Sequence, residues 1–249
     1  MSLRLAAEPL PGIPEIVSGA DLAGLIAGSG AAFGDDDVIV IAQKVVSKAE
    51  GRVRALADVD PSEHARGLAG NLDKDPRLVQ VILDESVEIV RAERGVLITR
   101  THQGFVCANA GVDASNVPGD AVTLLPEDPD SSARDLRTAL RARTGVAPAI
   151  VISDSFGRAW RLGQVEVAIG CAGLQPLDDR RGERDALGAE LAATVLAVAD
   201  EAAAAAGLVR NKAGREAVVV VRGLERFVTA EDGAGAGALL RPREEDLFS

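Results

Sequence analysis

The chain has 249 residues, 47% of them hydrophobic and 26% charged, with only 2% aromatic and no Tyr. That excludes a disordered chain and implies an aliphatic, finely packed core in one large domain or in two lobes that share an interface. A net charge of −11 and a pI near 4.8 exclude a generic nucleic-acid binder, which needs a basic face, but leave room for an anionic small molecule if a divalent ion neutralises the local charge.

Met1-Ser-Leu-Arg-Leu-Ala6 lacks the apolar core of a signal peptide, and no apolar run approaches the roughly 18 residues of a membrane span, so a soluble cytoplasmic protein is expected. Pro11-Gly-Ile-Pro14 reads as a rigid turn. Val38-Ile-Val-Ile-Ala42, after the turn residues Gly34-Asp-Asp-Asp37, predicts a buried strand ending at Gln43-Lys-Val-Val-Ser-Lys48. Asp60-Pro61 and Asp75-Pro76 predict two helix starts, with Asp capping free amides and Pro in the first turn, and Glu63 reinforces the first. After the second start, Leu78, Ile82 and Glu85 share a face, with Val79, Val81 and Leu83 around it.

Val96–Thr99 and Gly104–Ala108 predict a hairpin around Thr101-His-Gln103 whose second strand delivers an acidic loop, Asn109 to Asn116. Asp128-Pro129 opens a helix to about Arg143, with Ser132 and Asp135 at capping-box spacing. Ala147–Ser153 reads as a strand ending in a second acidic loop, Ser153 to Arg161. Strand alternation begins at Val165, an Ala-rich helix is expected from Asp185 to about Ala206, and Ala217–Arg222 is a late buried strand. Gly233–Gly237 reads as a flexible loop. Hairpins mixed with strand–helix alternation indicate an α/β or α+β fold with a mixed sheet.

The two acidic loops concentrate the chemistry. Asp113 and Asp154 offer hard oxygen ligands, Ser155 adds a hydroxyl, and Arg158 and Arg161 lie close by, a set suited to a divalent cation holding a phosphate. Asp154 at the exit of a buried strand is partly desolvated, so a cation or an Arg is the usual partner. Arg158 and Arg161 serve either as phosphate or substrate clamps or as partners of acids such as Glu166. Lys44, Lys48 and Arg52 either meet a phosphate beyond the first strand or form a solvated basic edge. No GxxxxGK[ST] loop exists, so a nucleotide needs another cradle. Cys107 and Cys171, without a CxxC pair, read as buried small hydrophobes. His64 and His102 read as surface or helix residues, and no Ser/His/Asp or Cys/His set is evident, which disfavours a protein nucleophile.

Taken together, Pro11–Pro14, Val45–Arg52, Asn109–Asn116, Ser153–Arg158 and Val219–Gly223 resemble the coenzyme F420-0:L-glutamate ligase family, in order from about Leu10 to Phe248. The resemblance implies an uncommon mixed α/β fold over residues 1–249, without a C-terminal reductase-like domain. It also implies a homodimer with a groove at the subunit interface. The implied reaction is GTP-dependent addition of L-glutamate to F420-0 through an acyl phosphate, releasing GDP and phosphate. By the same resemblance Asp113, Asp154 and Ser155 match positions for two divalent ions, Mg²⁺ or Mn²⁺, with K⁺ as a further ion. Pro11, Gly12, Ile13, Pro14, Gln43, Lys44, Lys48 and Asn116 match GTP positions, and Arg210-Asn-Lys212 matches a further nucleotide-contacting stretch. Ser155 stands for a more usual Thr, Gln43-Lys44 for small hydroxyl residues of some relatives, and Arg210-Asn211 departs from a Met-Gly pattern. A metal-dependent nucleotide hydrolase and a non-catalytic nucleotide- or deazaflavin-binding module are the alternatives.

Overall fold

The structure, a computed structural model, describes residues 4–115, 117, 119–211 and 216–246. The chain begins with strand β1 (Ala6–Pro9), helix α1 (Leu22–Ala27), strand β2 (Val38–Ala42), helix α2 (Gln43–Ala49) and strand β3 (Val53–Ala55). Helices α3 (Glu63–Leu72) and α4 (Pro76–Asp84) precede strands β4 (Ser86–Glu93), β5 (Val96–Thr101), β6 (Val106–Ala108) and β7 (Ala121–Thr123). Then come α5 (Pro129–Thr144), β8 (Ala149–Arg158), β9 (Arg161–Ala172), β10 (Asp178–Asp179), β11 (Val195–Leu196), α6 (Val198–Val209) and β12 (Val218–Arg222).

The central sheet has the order β1-β12-β2-β8-β9, parallel only between β2 and β8. Its middle strands are apolar on both faces, as strands covered on two sides must be. Alternation divides them cleanly. Ile39, Ile41, Ile150, Ile152, Val218 and Val220 pack with α1 and α5 on one face. Val38, Val40, Val151, Val219 and Val221 meet the Ala199–Ala206 stripe of α6 on the other. Residues 56–124 build a separate core from α3, α4, β5 and β7, including Val79, Ile82 and Leu97.

The expected strands at 38–42, 96–108 and 218–222 are present, as are the helix opened by Asp75-Pro76 and the one opened by Asp128-Pro129. Several expectations are corrected. Ser62, not Asp60, caps α3, because its hydroxyl is the group that reaches the Ala65 amide, at 3.1 Å. In α5 the cap is Asp128, which accepts from Ser131 N, while the Ser132 hydroxyl binds Glu50 instead. Residues 43–49 form a helix directly after β2 rather than a strand end.

The helix expected from Asp185 begins only at Val198. The preceding residues form a projecting hairpin, tied by Gly182 N to Leu191 O and by Leu191 N to Glu183 O. Asp185 accepts from the amides of Leu187 and Ala189, a local bond that competes with helix, and Leu187 has no buried face to join. Ser153–Arg161 is likewise not a loop, because β8 runs through Asp154 to Arg158 and turns directly into β9. Within the Gly233–Gly237 segment, a short 3₁₀ turn begins at Ala236 and is fixed by the Asp130 carboxylate, which accepts from the Ala236 and Gly237 amides.

Candidate active site

The carboxyl ends of the parallel pair β2 and β8 open into a cavity of about 1000 Å³, the position where open α/β sheets bind ligands. Its walls come from residues 13–16 after β1, from β2 and α2, from β6 and residues 109–115 after it, from β8 and β9, and from the end of α6.

Pro11 and Gly12 form the turn, with Gly12 at φ 76°, and aim Ile13 and Pro14 into the wall. On α2, Gln43, Lys44 and Lys48 all line the cavity. The buried Gln43 amide donates to Ser47 Oγ at 2.5 Å and to the Leu124 carbonyl at 2.9 Å. Lys48 is paired with Glu15 at the cavity edge. Lys44 Nζ donates to Asp113 Oδ2 at 2.7 Å. Burial pushes the Asp113 carboxyl upward, but bonds from Lys44 and the Ser115 amide outweigh it and leave the acid below its ordinary value.

Asp154 is the contrasting case. Its pKa is pushed up to about 6, first by burial and further by the charges of Glu166 and Asp113, against the Ser155 amide and Lys44. Among the described residues no ammonium or guanidinium lies within ion-pair distance of it. Strand alternation sends Asp154 to one face of β8 and Ser153 and Ser155 to the other. There both hydroxyls bind Glu166, the cross-strand partner of Ser155. Arg210, at the end of α6, closes the network with bonds of 2.7 Å to Ser153 Oγ and to Glu166 Oε2 and one of 3.1 Å to the Val40 carbonyl. Burial lowers the Arg210 pKa against the pull of Glu166.

Thus Ile13, Pro14, Gln43, Lys44, Lys48, Asp113, Asp154, Ser155, Arg210 and Asn211 share one cavity. Asn116 and Lys212 lie outside the described residues. Arg158 and Arg161 stand at the exposed tip of the β8–β9 hairpin, away from the lining. A strand rises about 3.3 Å per residue, so the four positions from Asp154 to Arg158 carry the guanidinium base roughly 13 Å along the strand. Glu166, expected as a partner for these arginines, pairs instead with Arg210. Sequence reasoning overlooked Glu166, Ser153 and Ser115 as site residues. The one available signal was a charged residue at an alternating position in the Val165–Val167 strand.

The donor set is all oxygen, which fits a hard cation, and an unpaired desolvated carboxylate beside two others is the group such a cation would neutralise. No group of three or more His, Cys, Asp or Glu that could hold a metal occurs among the described residues. An ion here would therefore take one or two carboxylates and complete its shell with hydroxyl, water and substrate oxygens, the mode typical of Mg²⁺.

A mixed sheet with a polar cavity at the ends of its parallel strands, lined by carboxylates and by Lys44, Lys48 and Arg210, defines an α/β protein with a cleft at the place where such sheets bind ligands. Residues 12–223 match the sequence profile of the F420-0:Gamma-glutamyl ligase family. The chain is 46% identical over 242 residues to the coenzyme F420:L-glutamate ligase of Methanothermobacter thermautotrophicus, covering 95% of this chain and 96% of the relative. It is 47% identical over 249 residues to that of Methanopyrus kandleri, covering 98% and 97%, and 41% identical over 250 residues to that of Archaeoglobus fulgidus, covering 99% and 97%. The chain belongs to the F420-0:gamma-glutamyl ligase family.

Proposed function

We propose that this protein is a GTP-dependent ligase that adds L-glutamate to coenzyme F420-0. The γ-phosphoryl group of GTP passes to the lactyl carboxylate of F420-0, releasing GDP. The amine of L-glutamate then attacks the acyl carbon, an amide bond forms as the C–O bond to phosphate breaks, and the amine proton is given up. The observation that carries the reading is Asp154, a desolvated carboxylate with no cationic partner among the described residues, lining a cavity with Lys44, Lys48 and Arg210 in its walls.

Two divalent ions, Mg²⁺ or Mn²⁺, are part of the proposal, one toward Asp113 and Asp154, the other toward Ser155 and Glu166 across the strand; K⁺ is an additional candidate. The ions would neutralise phosphate charge and polarise the reacting phosphoryl oxygens. The chain's own residues bind and orient. Lys44 and Lys48 supply positive charge for the polyphosphate, the turn at residues 11–14 presents backbone to the nucleotide, and Arg210 holds Glu166 and the two serines in register. Arg158 and Arg161 can act as clamps only if the hairpin tip meets substrate, as at a subunit groove. The homodimer is proposed on the exposed apolar tips Leu162 and Leu187. No helix is long and apolar enough to cross a membrane among the described residues, and a cytoplasmic location is proposed.

The test is mass spectrometry of F420-0 incubated with GTP, L-glutamate and Mn²⁺. A glutamyl adduct is expected, with multiple turnovers of GDP release only when both F420-0 and L-glutamate are present. GDP release without them would mark a nucleotide hydrolase, and tight ligand binding with no turnover a binding module.

A further inference from the structure

Lys44 is the second residue of α2, two positions after the last residue of β2, and reaches across to the turn that follows β6. Its ammonium donates to three oxygens of different kinds: the Asp113 carboxylate at 2.7 Å, the Ser115 carbonyl at 2.8 Å and the Ser115 hydroxyl at 2.6 Å. All three of its protons are thereby used. Carboxylate, carbonyl and hydroxyl oxygens are also the ligands that a hard metal cation takes. The same turn is closed from within, since Asp113 accepts from the Ser115 amide at 2.6 Å and from its hydroxyl at 3.0 Å. Among the described residues Asp154, the other carboxylate proposed to hold an ion, has no ammonium within ion-pair distance, so within that set one half of the pair is neutralised by the chain and the other is not.

We propose that Lys44 is a tethered counter-ion, a positioning residue that holds Asp113 and the 113–115 turn in the cation-free protein and yields Asp113 to the entering divalent ion. This rests on the metal and nucleotide reading of the cavity given above. An ion that binds Asp113 must displace the ammonium, and the displaced ammonium is left without its three acceptors. A polyphosphate in the same cavity supplies new ones. Ion and polyphosphate then favour each other's binding, by equal factors in each direction. Without the polyphosphate, Lys44 keeps the ion weakly bound.

The experiment measures Mn²⁺ binding by electron paramagnetic resonance in the absence of nucleotide, for wild type, Lys44→Met, Lys44→Gln and Asp154→Asn, each checked by its melting curve. Removing the competing charge is expected to tighten Mn²⁺ binding roughly ten-fold in both lysine variants. In wild type, amine acetylation mapped to Lys44 by mass spectrometry is expected to rise with Mn²⁺ alone and to fall when inorganic triphosphate is added with it. The wild-type labelling arm stands even if a lysine variant does not fold. Equal Mn²⁺ affinities in wild type and variants, with Lys44 labelling unmoved by Mn²⁺, overturn the counter-ion while leaving an Asp154-dependent metal site intact. Mn²⁺ binding that is absent, or indifferent to Asp154→Asn, overturns the metal reading and the counter-ion together.

Discussion

A carboxyl group such as that of Asp154, raised from 3.8 to about 6, holds its proton more tightly in the folded chain than in the unfolded one. Its contribution to stability is therefore fully present below about 3.8 and is lost as pH rises through about 6. The neutral Asp154→Asn escapes that loss. Without divalent ions it is expected to melt several degrees above wild type near about pH 8, the gap closing toward about pH 4, and calorimetric melts across this range read the difference. In the ligase assay the same variant should lose turnover by orders of magnitude, because the proposed divalent ion would lose a ligand charge. A variant that melts like wild type at every pH would show that Asp154 is not desolvated. Gly207 is the second sensitive position, since a Cβ there would stand 2.6 Å from Glu166 Cγ. Gly207→Ala is expected to cost about 1–3 kcal/mol in chemical denaturation and to lower turnover by displacing Glu166 from Ser153 and Ser155. Asp154 is legible in the sequence because a carboxylate leaving a buried strand is unusual. For its neighbour Glu166 the signal is weak, because a charge alternating with Val165 and Val167 equally gives the pattern of a solvent-facing residue, and its partner Arg210 lies 44 positions away.

At the scale of elements, legibility follows burial on two faces. β2 and β12 each open with four consecutive β-branched residues, and a run of that kind has few other places in a fold. The β8–β9 hairpin was harder to see, since its outer half carries Ser, Asp and Arg in the composition of a loop while its backbone stays paired to Arg158. Composition also misleads over residues 185–197, where Ala and Leu favour helix but no apolar stripe finds a core. Helix α6 has that stripe. Ala199, Ala202, Ala203 and Ala206 are each at most 1% exposed, and the small side chains let the helix lie close on Val40, Val151 and Val219. Enlarging one of them forces the helix away from the sheet and moves Arg210 at its end. Ala203→Leu is accordingly expected to lose about 1–3 kcal/mol in urea unfolding and to weaken nucleotide binding as well, although residue 203 does not line the cavity. Stability loss with unchanged nucleotide affinity would mean that α6 shifts without carrying Arg210.

Across the whole molecule, large apolar side chains are left in water at several places, among them Val17, Leu208 on α6, and two hairpin tips that carry the most exposed of them. Leu162, at the end of the β8–β9 hairpin, is 97% exposed, and Leu187, on the arm between β10 and β11, is 96% exposed; Trp160 beside Leu162 is 80% exposed. Single exposed apolar residues are ordinary, but here they sit on two projecting arms. The proposed homodimer gives these arms a place, and it would also bring the hairpin tip carrying Arg158 and Arg161 to a subunit groove. Burying a large side chain contributes about 1.5–3 kcal/mol, and a few such anchors commonly dominate an interface. The double variant Leu162→Ser with Leu187→Ser is therefore expected to sediment as a monomer at concentrations where wild type is a dimer. Thermal stability of the isolated subunit should change little, since neither residue packs into a core. If turnover falls with the dimer and returns at high protein concentration, the groove is part of the site and the hairpin arginines act there. If the monomer keeps full activity, the cavity is complete within one subunit and Arg158 and Arg161 have no part in the reaction. Wild type that sediments as a monomer at every concentration would remove the dimer from the proposal.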